Sequence, residues 1–140
     1  MPVDNLLAQT LLGWAPTWYL RPIDVDLVGS YSRAAWAVTL VGYLVLNGLI
    51  GPVVEELYFR GWLLPRMTGL GRWAPVVNTL LFSVYHFWAP WQFLSRVAAV
   101  LPFVCVVNAR RNVDLGMLVH VLLNSPGGLL VTASIAGRRT

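Results

Sequence analysis

Long apolar blocks separated by short polar breaks organise this chain, and the breaks define the elements it should form. No acidic or basic residue lies between Arg33 and Glu55, between Arg72 and Arg96, or between Asp114 and Arg138. Each gap is long enough to cross a bilayer, which takes roughly 20 apolar residues. The pattern predicts a helix over Ala34–Leu49 and a break or kink at Gly48, Gly51 and Pro52, with Pro52 opening a second helix that runs to about Met67. A turn at Gly69 and Gly71 should precede a third helix, Trp73–Phe87, and Pro90 should separate it from a fourth, Phe93–Ala109. Leu115–Asn124 is the last, ended or kinked by Ser125–Gly128 and resumed towards Ala136.

Ahead of these, Asn5–Leu20 reads as an interfacial or short membrane helix broken near Pro16, and Arg21–Ser32 as a polar loop. No period-two alternation is visible, and an open sheet in lipid would leave backbone groups unpaired. The expected fold is therefore all-α: an integral membrane bundle of four to five transmembrane segments plus a short N-terminal helix. The expected division is 1–33, helix and loop, against 34–140, the core.

Composition supports membrane residence. The 140 residues are 57% hydrophobic and 11% charged, against about 45–50% and about 25% in soluble domains, and a soluble protein of this size could not hide that much apolar surface. The net charge of +4 does not indicate nucleic acid, because the basic residues sit singly or in pairs at the ends of apolar runs. Arg66, Arg72, Arg110 and Arg111 fall at turns that could share a cytoplasmic face. All ten basic residues are Arg, a bias that points weakly to a GC-rich bacterial genome and so to an inner membrane. With Cys105 as the single cysteine no internal disulfide can form. Asp4 stands where a cleavable signal would carry basic residues, and no small-residue cleavage site follows.

Three polar clusters interrupt the apolar helices. In EELYFR, Glu56 and Arg60 are four residues apart with the acid N-terminal, the favourable orientation for an ion pair. Glu55 is turned about 100° away on a regular helix and lacks a local cation. A carboxylate inside a bilayer costs at least about 2.5–3.5 kcal/mol, so Glu55 is either functional or wetted at the headgroup layer. FSVYH puts Phe82 and His86 on one helical face, where His86 is a core histidine or a catalyst. HVLLN does the same for His120 and Asn124, as interhelical polar contacts or as site residues.

Jointly these clusters resemble the membrane protease family that includes the type II CaaX prenyl protease and the bacteriocin-processing and immunity proteins. Its signatures EExxxR, FxxxH and HxxxN or HxxxD occur here in order, as Glu55, Glu56 and Arg60, then Phe82 and His86, then His120 and Asn124. The resemblance implies an intramembrane endopeptidase core in 34–140, in which Glu55 and His86 activate a water while His120 and Asn124 hold the oxyanion. Glu56 and Arg60 would be the structural ion pair, with Phe82 supporting. The chemistry is plausible on its own terms: burial moves carboxyl and imidazole groups towards the range where acid–base catalysis works best, and each oxyanion donor is typically worth about 2.7–4 kcal/mol of barrier.

Rival chemistries lack their motifs. The chain has no HExxH, no GxSG and no GxGD. Glu55, His86 and His120 could instead form a His₂Glu zinc site with an open position for water, but Asn124 suits an oxyanion better than zinc, so the metal-free reading is preferred and no cofactor is expected. The expected partners are the lipid bilayer, a membrane-anchored protein or peptide substrate and, to complete the cavity, a second copy. The rival of another class is a non-catalytic immunity or assembly factor whose polar groups only hold helices together. Geometry sets one condition. On straight helices Glu55 would lie ~31 Å from the start of the first and His86 ~20 Å from the start of the third, so their meeting requires a break at Gly51 and Pro52 or a tilted or offset third helix.

Overall fold

The computed structural model describes residues 2–16 and 31–136, with side chains to Ser125. Among them every regular element is helical. Two runs are long and apolar enough to cross a membrane, Arg33–Tyr85 and Pro90–Arg110, and Val113–Ser125 is a shorter apolar helix. Only 11% of the most apolar window in either long run is buried inside the chain. A core helix of a soluble protein would be mostly covered, so this exposed apolar surface is matched to lipid.

The chain divides into two compact units, Met1–Ile23 with Phe59–Asn112, and Asp24–Tyr58 with Val113–Thr140. In the second unit α2 (Arg33–Tyr43) starts at an N-cap, where the Ser32 hydroxyl accepts from the Ala35 N–H at 3.2 Å. The helix then widens into a π-type segment, Leu44–Ile50, and continues as α3, Gly51–Glu56. The expected break or kink at Gly48, Gly51 and Pro52 takes the form of altered winding, with Pro52 in the first turn of α3 as expected. Proline has no N–H to offer residue 48, and its ring would crowd that carbonyl. Widening by one residue relieves the crowding, and the Gly51 N–H accordingly reaches back five residues to Leu46 O. A second widened segment, Leu57–Leu63, likewise runs towards Pro65.

α6 (Val113–Ala136) continues through Ser125–Gly128 to Ala136, the end expected for the resumed helix. It packs antiparallel to the α2–α3 helix: Glu55 and Glu56 meet His120, whereas Asn47 meets Asn124. A Cβ added to Gly48 would touch Ser125 Oγ at 3.4 Å, so the small residue permits this close approach.

The first unit contains α1 (Pro2–Thr10), a kinked 3-10 stretch over Leu64–Trp73, α4 (Ala74–Tyr85) and α5 (Phe93–Arg110). α1 ends at Thr10, earlier than expected, while the expected loop Arg21–Ser32 lies largely outside the described residues. Met67 (φ −92°, ψ 22°) and Gly71 (φ 51°, ψ −126°) make the expected turn, and Gly71 holds a conformation that a side chain would strain. Leu64, Ala74 and Val104 form the buried centre, with Met67, Val100 and Phe103 packed around it. Asp4 of α1 is 7% exposed. The Ser95 hydroxyl at the start of α5, aided by the Arg96 charge, holds the Asp4 carboxyl below its usual range. That hydroxyl also lies 3.0 Å from Gln92 O, so its proton is shared between two acceptors.

Candidate active site

His120 is held between neighbouring carboxylates. Its Nδ1 lies 2.9 Å from Glu56 Oε1, and its Nε2 lies 3.8 Å from Glu55 Oε2. The Glu56 side chain is 0% exposed, against 16% for Glu55 and 15% for His120. With Glu56 ionised, Nδ1–H donates to it, which fixes the ring and aims Nε2 at the more accessible Glu55. Adjacent residues of a regular helix diverge by about 100°, yet an imidazole is wide enough to take one carboxylate on each nitrogen. The sequence pattern therefore found all three residues but not that Glu56 is the partner of His120.

One turn along α6, Asn124 Nδ2 donates to Asn47 O at 3.3 Å, leaving the second amide proton for another acceptor. Ser125 donates to Val121 O within its own helix, as expected of helix punctuation rather than a nucleophile.

Phe82, His86 and Arg60 belong to the other unit. His86 caps α4 with φ −82° and ψ 47°, and its Nδ1–H donates to Phe82 O at 2.9 Å. A carbonyl can only accept, so in the neutral ring Nε2 is the basic nitrogen. The rings of Phe82, Trp88 and Tyr85 surround it at centroid distances of 4.6, 4.8 and 5.2 Å.

The Arg60 guanidinium, 2% exposed, stands 4.3 Å from the Phe82 ring centre and 5.7 and 5.9 Å from those of Phe103 and Phe59. These aromatic faces offset part of its desolvation. The phenylalanine of FxxxH thus supports both Arg60 and His86. Asn78, one turn before Phe82, is fully buried and donates to Phe59 O at 2.8 Å, tying the widened segment to α4. Nothing in its local pattern distinguishes Asn78 beyond a carboxamide inside an apolar helix.

Of the residues a zinc ion would use, Glu55 and His120 face each other, and the bond from Glu56 to Nδ1 is the type of support that orients histidine ligands. Among the described residues no group of three His, Cys, Asp or Glu is arranged to hold a metal ion.

Helices long and apolar enough to cross a membrane carry two carboxylates and an imidazole in contact with one another, the mark of a membrane protein with a polar site among its helices. The family model of type II CAAX prenyl endopeptidase Rce1-like proteins matches residues 37–126, well over half of the chain. This protein belongs to that family, whose members are membrane-embedded peptidases. No curated protein and no solved structure matches the chain.

Proposed function

We propose that the chain is a glutamate-type intramembrane endopeptidase of four to five membrane segments that cleaves a membrane-anchored protein or peptide in a bacterial inner membrane. The observation that carries this reading is the Glu55–His120–Glu56 cluster, with Nε2 of a carboxylate-anchored imidazole 3.8 Å from the more accessible carboxylate. Such a buried-polar arrangement is expensive in a membrane helix and has no need to be there for packing alone.

In the proposed reaction Glu55, with the basic Nε2 of His86, takes a proton from water as the hydroxide attacks the scissile carbonyl carbon. The carbonyl π electrons move to oxygen, and the oxyanion is stabilised by the free amide N–H of Asn124 and by Nε2–H of His120 in its imidazolium form, whose Nδ1–H stays on Glu56. Collapse of the intermediate breaks the C–N bond, and the proton taken from water passes to the leaving nitrogen. Glu56 keeps His120 oriented throughout and, across one helical turn, offsets the charge of Arg60. A second copy of the chain would complete the walls of the cavity.

The test is comparative proteomics of membrane-protein termini from cells carrying the native chain or Glu55→Gln, which keeps shape but removes the base. New termini that vanish in the variant are expected. An unchanged set of termini, with normal abundance of both proteins, would favour the non-catalytic immunity or assembly role.

A further inference from the structure

A cavity of about 660 Å³ lies against His86, inside the unit that contains it. Its volume falls in the range of about 300–1,000 Å³ that ligand sites occupy. One wall comes from the end of α4 and the chain beyond it, including Ser83, Val84 and Phe93; the other comes from Leu12 and Ala15 of the N-terminal segment. That second wall lies outside the family match, which begins at residue 37. Asp4, buried against the start of α5 near Ser95 and Arg96, anchors the helix from which the segment extends.

The lining is apolar apart from His86 and Ser83. Ser83 is 3% exposed, and its Oγ has no hydrogen-bond partner. A plain hydrocarbon tail brings no polar group to His86, whereas an apolar residue of a peptide carries a backbone N–H that can donate to the basic Nε2 of that ring.

We propose that this cavity is the subsite for a bulky apolar side chain of the substrate next to the bond that is cut, and that Leu12 and Ala15 set the size it accepts. This rests on the reading of His86 as part of the water-activating couple. It adds a specificity element, contributed by residues ahead of the family core. Filling the cavity through Ala15→Phe should favour small residues, and enlarging it through Leu12→Ala should favour larger ones, because an apolar pocket discriminates by fit.

The experiment uses the full chain in detergent and has two arms. In the first, a peptide library is cleaved and the preference for Phe over Ala beside the scissile bond is read as a ratio of kcat/KM. That ratio should fall about tenfold or more in Ala15→Phe and rise in Leu12→Ala. Opposite shifts cannot come from general unfolding, and cleavage with the same preference in all three proteins would overturn the proposal. In the second arm, binding of N-acetyl-4-fluorophenylalaninamide is followed by fluorine NMR, with palmitate as the competing hydrocarbon. Saturable binding of the amide, weakened about tenfold in Ala15→Phe, supports the subsite even if no peptide is cut, in which case the catalytic reading fails alone. Saturable binding of palmitate with none of the amide would assign the cavity to a lipid chain and overturn the proposal.

Discussion

His120 Nδ1 stands 2.9 Å from Oε1 of Glu56, a carboxylate with no exposed surface. A hydrogen bond to a charged partner is worth about 1.5–3 kcal/mol, roughly 1 kcal/mol more than a neutral one. Glu56→Gln retains an oxygen to accept from Nδ1 but removes the charge that supports the ring during turnover. We expect kcat of peptide cleavage to fall about tenfold with KM little changed. Glu56→Ala should cost more because the ring also loses its orientation. Equal, near-native rates for both variants would show that the contact does not serve catalysis.

Arg60 is buried among three phenylalanine rings, and Glu56, four residues before it, is buried as well. The two are proposed to pair, and removing one member of a buried ion pair typically costs about 3–5 kcal/mol, because the other charge is left uncompensated. Arg60→Ala should therefore lower the abundance of folded protein and its thermal midpoint in detergent. Arg60→Met with Glu56→Gln should recover part of the loss. The resulting double-mutant coupling measures the pair directly, and a coupling near zero would assign the stability of Arg60 to its aromatic surroundings.

Asp4 gives the chain an acid-sensitive contact. Its folded-state carboxyl is held below the ordinary value by Ser95 and by Arg96. A carboxyl depressed on folding contributes stability that is complete above about pH 4, where the unfolded group is also ionised. The contribution is lost as pH falls through the lower folded value. The thermal midpoint of the native chain minus that of Asp4→Asn should be positive at pH 6 and shrink towards zero as pH drops to about 3. A difference that is flat with pH would show that the carboxylate charge does not dock α1.

Apolar helices and the polar positions of the candidate site were legible in the sequence because both depend on composition and short spacing. The gaps between charges and the Gly and Pro positions marked separate apolar helices that the structure joins into the runs Arg33–Tyr85 and Pro90–Arg110, and the spacings of EExxxR, FxxxH and HxxxN singled out Glu55, His86 and His120, of which Glu55 and His120 face each other. The winding between them was not legible. A π-type turn adds one residue and shifts every later side chain by about 100°, so the widened segments at Leu44–Ile50 and Leu57–Leu63 defeat any uniform helical wheel. Pro52 opens α3 as its position suggested, but the chain winds into it through a π-type segment, and α6 continues through Pro126. Asn78 and Asn47 escaped notice because their roles lie in contacts to the backbone at Phe59 and to the side chain of Asn124, distant along the chain.

Glu55 and His86 are proposed to act on one water molecule, and that makes their substitutions non-additive. When two groups serve a single step, losing either removes most of what both supply. Glu55→Gln and His86→Ala should each lower kcat/KM by about 10²–10⁴-fold, the usual range for acid–base groups, and the double variant should fall little further. Fully multiplicative losses would mean that the two residues serve separate steps.

The remaining choice is between water activated by side chains and hydroxide held on zinc. For a His₂Glu centre, His86 and His120 would both be ligands beside Glu55, and replacing either should abolish metal binding together with activity. In the metal-free chemistry His120 matters through the oxyanion, so His120→Ala should lower kcat without any accompanying loss of metal. We expect the metal-free outcome, because Glu55 and the basic nitrogen of His86 can accept the proton from water while His120 and Asn124 supply donors, with no Lewis acid required. Elemental analysis of active protein in detergent should find no stoichiometric transition metal, and prolonged chelation should leave peptide cleavage within about twofold of its starting rate. About one zinc per active chain, with activity lost on its removal and restored on its return, would reverse the assignment. Glu55, His86 and His120 would then be ligands, and the bond from Glu56 to Nδ1 of His120 would become the support of a metal-bound ring.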